Sequence, residues 1–108
     1  MAISITPENH EVAIKQSNKP IILDIYATWC GPCQQMNPIL EELEQELGDK
    51  YTFAKLNVDE AREISIKDYG VTSVPTFVFI KDGVMKSKET GYMSKEVMKE
   101  KIIAALGQ

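Results

Sequence analysis

The residues of this sequence whose types and spacing best suit chemistry are its two cysteines, in Cys30-Gly31-Pro32-Cys33. They follow an apolar segment typical of a buried strand and open the segment with the clearest helical periodicity. One helical turn apart, their Cα atoms should be separated by about 5–6 Å, inside the range of about 4.4–6.8 Å found in disulfides. The pair is therefore expected to close and open a disulfide with little movement of the backbone.

The two thiols are expected to differ in acidity. Cys30, at the start of the helix, faces unpaired backbone N–H groups and the positive end of the helix dipole, and both favour a thiolate. Cys33 lies on the helical stripe that packs inward, so its thiol should be more buried and less ionised. Because the thiolate is the attacking species, Cys30 is predicted to be the nucleophile and Cys33 the resolving cysteine.

Two other interpretations of the pair stay open from the residues alone: inert structural cysteines, and half of a zinc site. Zinc usually takes four Cys or His ligands, and the chain offers two cysteines and one histidine, His10. His10 falls on a different predicted helix, where it is interpreted as a surface residue. A zinc site would therefore have to be shared between two chains, and the redox chemistry needs neither a metal nor an organic cofactor.

Three further side chains near the pair are candidates for function. Asp24 interrupts an apolar strand, where burial makes a charge costly and raises a carboxyl pKa; the alternative is a carboxylate satisfied by a hydrogen bond. Lys55, on the next predicted strand, either pairs with Asp24 or extends its ammonium group to solvent. Trp29, the only tryptophan, is expected at the surface, where it covers the thiols and contacts substrate; the alternative is an ordinary core position.

The elements that must position these residues follow the order β-α-β-α-β-α-β-β-α. Alternation predicts an α/β fold with a helix-covered parallel sheet, and Asp82-Gly83 between two apolar segments predicts a closing antiparallel hairpin. The expected positions are a strand at Ile3–Ile5, a helix capped by Thr6 and running to about Ser17, a strand at Ile21–Tyr26, a helix from the cysteines to Leu47, a strand at Tyr51–Val58, a short helix from Asp59 to Gly70, strands at Pro75–Ile80 and Val84–Glu89, and a helix capped by Ser94.

The helix after the cysteines is the most clearly patterned element. Pro38 is expected to kink it, and Gly48 fits its C-terminal cap. Its inward stripe consists of Cys33, Met36, Leu40, Leu43 and Leu47, and its acids Glu41, Glu42, Glu44 and Glu46 are expected to form a solvated face.

Composition excludes some classes of function. The length of 108 residues fits one domain, and the net charge of −4 disfavours nucleic-acid binding. The N-terminal residues lack the basic region of a secretory signal. The longest apolar segments have about seven residues, against about 18 for a membrane span. The default expectation is a cytoplasmic protein.

At Trp29-Cys30-Gly31-Pro32-Cys33 the sequence closely resembles the thioredoxin family. The resemblance covers essentially the whole chain. Its supporting matches are Asp24 before the cysteines, Pro38 in the following helix, Lys55-Leu56-Asn57-Val58-Asp59, Val74-Pro75-Thr76, and Gly91 after the hairpin. It implies one thioredoxin domain over residues 1–108, with a mixed five-stranded sheet in the order β1-β3-β2-β4-β5 flanked by four helices.

The resemblance also implies an activity. The chain would be a monomeric protein-disulfide reductase that exchanges electrons reversibly with disulfide-bearing clients. An NADPH-dependent thioredoxin reductase would restore its dithiol. Asp24 would accept the proton of Cys33 during its attack, and Gly31 and Pro32 would tune how reducing the pair is.

The client surface is implied by the same resemblance. Pro75 would follow a cis peptide bond and lie against the cysteines. Clients would dock by main-chain pairing with Val74, and Trp29 and Gly91 would complete the contact surface.

Two positions depart from the family pattern. Tyr26 stands where many relatives carry tryptophan, which should leave the mechanism intact. Gln34 stands where lysine or arginine is frequent, so Cys30 is expected to be slightly less acidified and partner recognition to differ. Two alternative functions also stay open: an oxidase or isomerase of exported proteins, and a binding module that uses the fold without its redox chemistry.

Overall fold

Within residues 2–107, five strands and four helices occur in the order expected from the sequence. The computed structural model describes residues 2–107. Its elements are β1 (Ile3–Ile5), α1 (His10–Lys15), β2 (Ile21–Tyr26), α2 (Gly31–Leu47), β3 (Thr52–Asn57), α3 (Arg62–Lys67), β4 (Thr76–Lys81), β5 (Val84–Thr90) and α4 (Lys95–Leu106). No helix in this part of the chain has the length and apolar character that crossing a membrane requires.

The strands form one mixed sheet in the order β1-β3-β2-β4-β5, which confirms the expected fold. β3 pairs in parallel with both β1 and β2. β4 pairs antiparallel with β2 and with β5. The antiparallel part of the sheet therefore begins between β2 and β4, and β2 has neighbours of opposite direction on its two sides.

An apolar core covers each face of the sheet. Alternate residues of β2 point to opposite faces, so Leu23 and Ile25 contribute to one core and Ile22 to the other. The first core also includes Ile14, Leu56, Tyr69, Val78 and Ile80. The second contains Met36, Leu43, Phe77, Phe79, Met98, Ile102 and Leu106, so α2 and α4 cover that face.

Helix α2 keeps the predicted stripe. Met36 and Leu43 are fully buried, and Leu40 is partly buried against the same core. Pro38 lies on the exposed side of the helix, which continues through it. A carbonyl group that loses its helical partner on that side can bond to water, so the proline is tolerated.

Two predicted helix starts are wrong. α1 begins at His10 rather than directly after Thr6. Thr6 still makes the predicted type of capping bond, since its Oγ1 accepts the Asn9 N–H (3.3 Å) and its own N–H donates to Asn9 Oδ1 (2.8 Å). This exchange closes a turn ahead of the helix. α3 begins at Arg62, and its N-cap residue Ala61 makes no side-chain capping bond, so Asp59 does not cap it.

Other local predictions are confirmed. The Ser94 hydroxyl accepts the Val97 N–H at 3.2 Å and caps α4. The turn of the closing hairpin has Asp82 and Gly83 at φ 55° and 76°. This left-handed geometry is what an Asp-Gly hairpin turn requires.

We predict that Ile102→Ala lowers the free energy of unfolding by about 2–5 kcal/mol, because it empties space in a fully buried position of the second core. Urea unfolding monitored by circular dichroism measures the change. The matched control is Ile66→Ala on the exposed side of α3, which should change stability by less than about 0.5 kcal/mol. Equal losses in the two variants would contradict the packing described here.

Candidate active site

The site forms at one edge of the sheet, where β2 ends. Because β4 runs antiparallel to β2, its first residue Thr76 lies beside Ile25 near the end of β2. Thr76 also lies beside Thr90 at the end of β5, and Tyr26 beside Asn57 at the end of β3. The segments that leave these strand ends carry Trp29, Cys30, Asp59, Val74, Pro75 and Gly91. This register brings most of the predicted site residues, together with Asp59, to the same edge.

Cys30 and Cys33 form a disulfide with their Cα atoms 5.2 Å apart, as the spacing predicted. Cys30 is the N-cap residue of α2, and its Sγ accepts the backbone N–H of Cys33 at 3.1 Å. The two residues differ little in exposure, at 5% and 3%, so the expected contrast in burial is slight. The clearer asymmetry in this disulfide form is the backbone hydrogen bond to Cys30 Sγ.

The residues between and after the cysteines shape the first turn of α2. Gly31 and Pro32 are exposed and occupy its first two positions, where the missing N–H of proline costs no helical hydrogen bond. The side chain of Gln34 donates to the Thr28 carbonyl at 3.0 Å. Gln34 therefore ties the loop before Cys30 to the helix and adds no charge beside the sulfurs.

The segment before β4 packs against the cysteines. The Val74–Pro75 peptide bond is cis, as the resemblance implied. Val74 is half-buried and contacts the small apolar cluster that contains both cysteines. Within residues 2–107, no hydrogen bond involves the Val74 N–H or C=O. Gly91 lies beside this segment, since its N–H donates to the Pro75 carbonyl at 2.9 Å.

Trp29 is a surface residue, as predicted, with 70% of its area exposed. Its indole Nε1–H donates to Asp59 Oδ2 at 2.9 Å, and Asp59 also lies 3.6 Å from Arg62. The sequence predicts a helix cap at Asp59 and gives no signal for this contact with the indole. An aspartate carboxylate can accept either a backbone N–H at the start of a helix or an indole N–H. The residue type alone does not show which of these two hydrogen bonds it makes.

Asp24 is buried at 3% exposure on the face of the sheet that α2 covers. Within residues 2–107, neither carboxyl oxygen accepts a hydrogen bond from a protein group. Burial raises the pKa of Asp24 to about 7, and the positive charge of Lys55 opposes the rise. A buried carboxyl with a pKa near neutrality can both take up and release a proton at working pH.

Within residues 2–107, Lys55 forms no ion pair with Asp24, so the first of its two predicted roles is wrong. It lies directly opposite Asp24 on β3, yet its ammonium group donates to Asn37 Oδ1 at 3.1 Å and sits 4.7 Å from the centre of the Tyr26 ring. Asn37 was missed as a site residue because its partner comes from another element. Asp24, Asn37 and Lys55 line one cavity of about 550 Å³ between α2 and the sheet.

The histidine does not belong to this site and is not the surface residue that was predicted. His10 is half-buried against Tyr69, with its Nε2 2.6 Å from the phenolic oxygen and its Nδ1 3.8 Å from Asp68. Within residues 2–107, no three His, Cys, Asp or Glu side chains are grouped closely enough to hold a metal ion.

Comparison with known proteins agrees with this geometry. The family pattern described as "Thioredoxin" matches residues 1–104. A thioredoxin of Bacillus subtilis is 40% identical over 100 residues, which cover 93% of this chain and 94% of that protein. One of Alicyclobacillus acidocaldarius is 39% identical over 104 residues, covering 96% and 97%. One of Mycoplasmoides gallisepticum is 45% identical over 84 residues, covering 78% and 82%.

The family match spans the sheet, the cis-proline segment and both cysteines, and the relatives align over most of their own length. The disulfide at the start of α2 lies within the matched residues and is the redox-active centre of the chain. The chain therefore belongs to the thioredoxin family and is a thiol–disulfide oxidoreductase that works through Cys30 and Cys33.

Proposed function

We propose that this protein acts as a reductase of client disulfides, with Cys30 as the nucleophile and Cys33 as the resolving cysteine. The observation that carries the proposal is the position of Cys30 Sγ, which caps α2 and accepts the Cys33 N–H. Once the disulfide is opened, the same N–H and the helix dipole stabilise negative charge on Cys30. The attacking sulfur is therefore the one that ionises more easily.

The reaction moves two electrons from the dithiol to the client. The Cys30 thiolate attacks one sulfur of the client disulfide, which forms a mixed disulfide and releases the first client thiolate. Cys33 then attacks Cys30 Sγ. The bond between Cys30 and the client breaks, the second client thiolate leaves, and the Cys30–Cys33 disulfide forms. The Cα separation of 5.2 Å fits the closed pair.

Asp24 is proposed to take the proton that Cys33 loses before it attacks. The Asp24 carboxyl is buried behind α2 and accepts no hydrogen bond from the protein groups of residues 2–107. Its pKa of about 7 leaves a large share of the group ionised, and able to accept a proton, at neutral pH. Transfer to Asp24 makes the Cys33 thiolate without placing a second net charge in the site.

Clients are proposed to dock across the surface formed by Trp29, Val74, Pro75 and Gly91. The backbone groups of Val74 make no hydrogen bond within residues 2–107, so they suit pairing with an extended client segment. The exposed indole of Trp29 adds an apolar contact beside the cysteines. Gly31 and Pro32, between the two sulfurs, are proposed to tune how reducing the pair is.

The reaction also needs a source of electrons. An NADPH-dependent thioredoxin reductase is proposed to return the disulfide to the dithiol, in keeping with the thioredoxin relatives. Residues 1–108 are proposed to act as one domain, a monomer in the cytoplasm.

We predict that Cys30→Ser abolishes the reduction of insulin disulfides above the rate of dithiothreitol alone, because serine supplies no thiolate. Turbidity of the released insulin B chain measures the rate. Cys33→Ser is the matched variant and should accumulate a mixed disulfide on Cys30, detectable by mass spectrometry. The same assay with NADPH and thioredoxin reductase tests the proposed electron source. Unchanged turnover in Cys30→Ser would show that Cys30 is not the nucleophile.

We predict that Trp29→Ala raises KM for insulin about tenfold, which corresponds to a loss of about 1.4 kcal/mol of binding free energy. The rate with a small aromatic disulfide such as dithiobis(nitrobenzoate) should change much less, because that substrate has no polypeptide segment that could dock beside Trp29. A parallel loss with both substrates would instead assign Trp29 to the chemistry at the sulfurs.

We predict that the oxidised protein loses stability as pH rises from about 4 to about 7. Asp24 has an ordinary pKa of 3.8 and a pKa of about 7 in the folded protein. Between these values the folded state holds a proton that the unfolded state has released, so each rise in pH favours unfolding. Above pH 7 the loss is complete, and over the window it amounts to about 4 kcal/mol.

Urea unfolding at pH 4, 5.5, 7 and 8.5 measures this dependence. Asp24→Asn should remove most of it and leave the variant more stable than the unmodified protein at pH 8.5. The exposed Asp49→Asn serves as the control and should keep the full dependence. A stability that falls equally in Asp24→Asn would show that another group carries the pH dependence.

A further inference from the structure

Two neutral side chains, those of Asn37 and Tyr26, contact the ammonium group of Lys55 and hold it in position. It donates to Asn37 Oδ1 at 3.1 Å and lies 4.7 Å from the centre of the Tyr26 ring, the range of a cation–π contact. Asn37 lies on α2 one turn after Cys33, and Tyr26 lies at the end of β2. The helix and the strand thus hold one cation between them.

In this position Lys55 bonds to Asn37 and not to Asp24, its register partner on β2. Lys55 and Asp24 are register partners on neighbouring parallel strands, so their side chains leave the same face of the sheet. The two side chains are thus neighbours, yet within residues 2–107 neither Asp24 oxygen accepts a hydrogen bond. Within residues 2–107, no ion pair joins the two side chains.

We propose that Asn37 is a positioning residue for the proton transfer at Asp24, because its side-chain carbonyl holds the Lys55 ammonium group away from the Asp24 carboxyl group. The inference rests on the proposed role of Asp24 as the proton acceptor for Cys33. It adds a residue that acts through Lys55 and touches neither sulfur.

The chemistry of the Asn37 side chain suits this task. A carboxylate in its place would pair with Lys55 and cancel its charge, and an apolar side chain would release the ammonium group toward Asp24. Direct pairing with a cation lowers a carboxyl pKa by about 1–3, which would make Asp24 a weaker base for a thiol proton. The neutral amide keeps the positive charge near Asp24 without forming that pair.

The other charged and titratable groups around Asp24 do not replace Lys55. Phe77, its partner on β4, carries no charge. Tyr26 lies two residues after Asp24 on the same face of β2. Burial, together with the charges of Glu60 and Asp24, raises the pKa of the Tyr26 phenol. From α2, Cys33 is the proposed proton donor, and Glu41 and Glu44 line the shared cavity with negative charge. Among these described residues, Lys55 supplies the nearby positive charge.

The test measures the pKa of Asp24 by carbon-13 NMR titration of its carboxyl group in the oxidised protein. Asn37→Ala should lower this pKa by about one, because the freed ammonium group moves to the carboxyl group. Lys55→Met should raise it, since the opposing charge is gone. In the double variant Asn37→Ala/Lys55→Met, the pKa should equal that of Lys55→Met alone, because Asn37 acts through Lys55.

Gln45→Ala is the matched control, since Gln45 is another amide of α2 on the wall of the same cavity and should leave the pKa of Asp24 unchanged. Asn37→Asp keeps the acceptor for Lys55 and should not lower this pKa. A pKa in Asn37→Ala equal to that of the unmodified protein would overturn the inference, as would an equal fall in the Lys55→Met background.

The titration does not depend on turnover, so it separates this inference from the proposed function. The pH profile for resolution of the mixed disulfide should shift to lower pH in Asn37→Ala, in step with the titration. If the titration shifts and the profile does not, Asn37 positions Lys55 but Asp24 is not the proton acceptor. If neither shifts, the inference fails while Cys30 and Cys33 keep their roles.

Discussion

The pairing of β2 with neighbours of opposite direction is the constraint on which the rest of the structure depends. β2 delivers Cys30 to the edge of the sheet at its carboxyl end. The carboxyl end of its parallel partner β3 lies at the same edge, and so does the amino end of its antiparallel partner β4. One edge therefore holds a helix N-terminus and the cis-proline segment. An all-parallel sheet would have placed Pro75 at the opposite edge.

The same strand explains why two neighbouring sulfurs can behave differently. In the disulfide form they are almost equally buried, so exposure does not separate them. Cys30 ends the loop that leaves β2 and receives a backbone N–H, whereas Cys33 lies one turn into α2. The negative charge on Cys30 is thus favoured by backbone geometry, and no basic side chain is needed next to it. This makes the neutral Gln34 compatible with the chemistry.

Elements with long periodic patterns were predictable from the sequence, and contacts between elements were not. The stripe of α2, the apolar β2 and the Asp-Gly hairpin each carry a local signal, and all three were confirmed. α1 and α3 have only six residues each. A helix of that length has too few turns for a periodic pattern to fix its first residue, and the capping bond of Thr6 lies four residues before the first residue of α1.

The site shows the same division. The cysteine spacing and the buried acid could be recognised because each is a property of one segment. The course of Lys55 depends on Asn37 from α2 and Tyr26 from β2, and that of His10 depends on Tyr69 beyond the end of α3. A pattern along the chain cannot choose between several partners of similar chemistry. The misinterpreted side chains are therefore those whose partners lie on another element.

The environment of Asp24 follows from competing demands on one group. Complete isolation in the core would raise its pKa until the carboxyl group stayed protonated and accepted nothing, whereas a direct ion pair would keep it ionised and weakly basic. Lys55 on the adjacent strand, held by the neutral Asn37 and the ring of Tyr26, lies between these limits. The ring of Tyr26, 4.7 Å from the ammonium group, thus shares with Asn37 the position of the charge that opposes the rise in the Asp24 pKa.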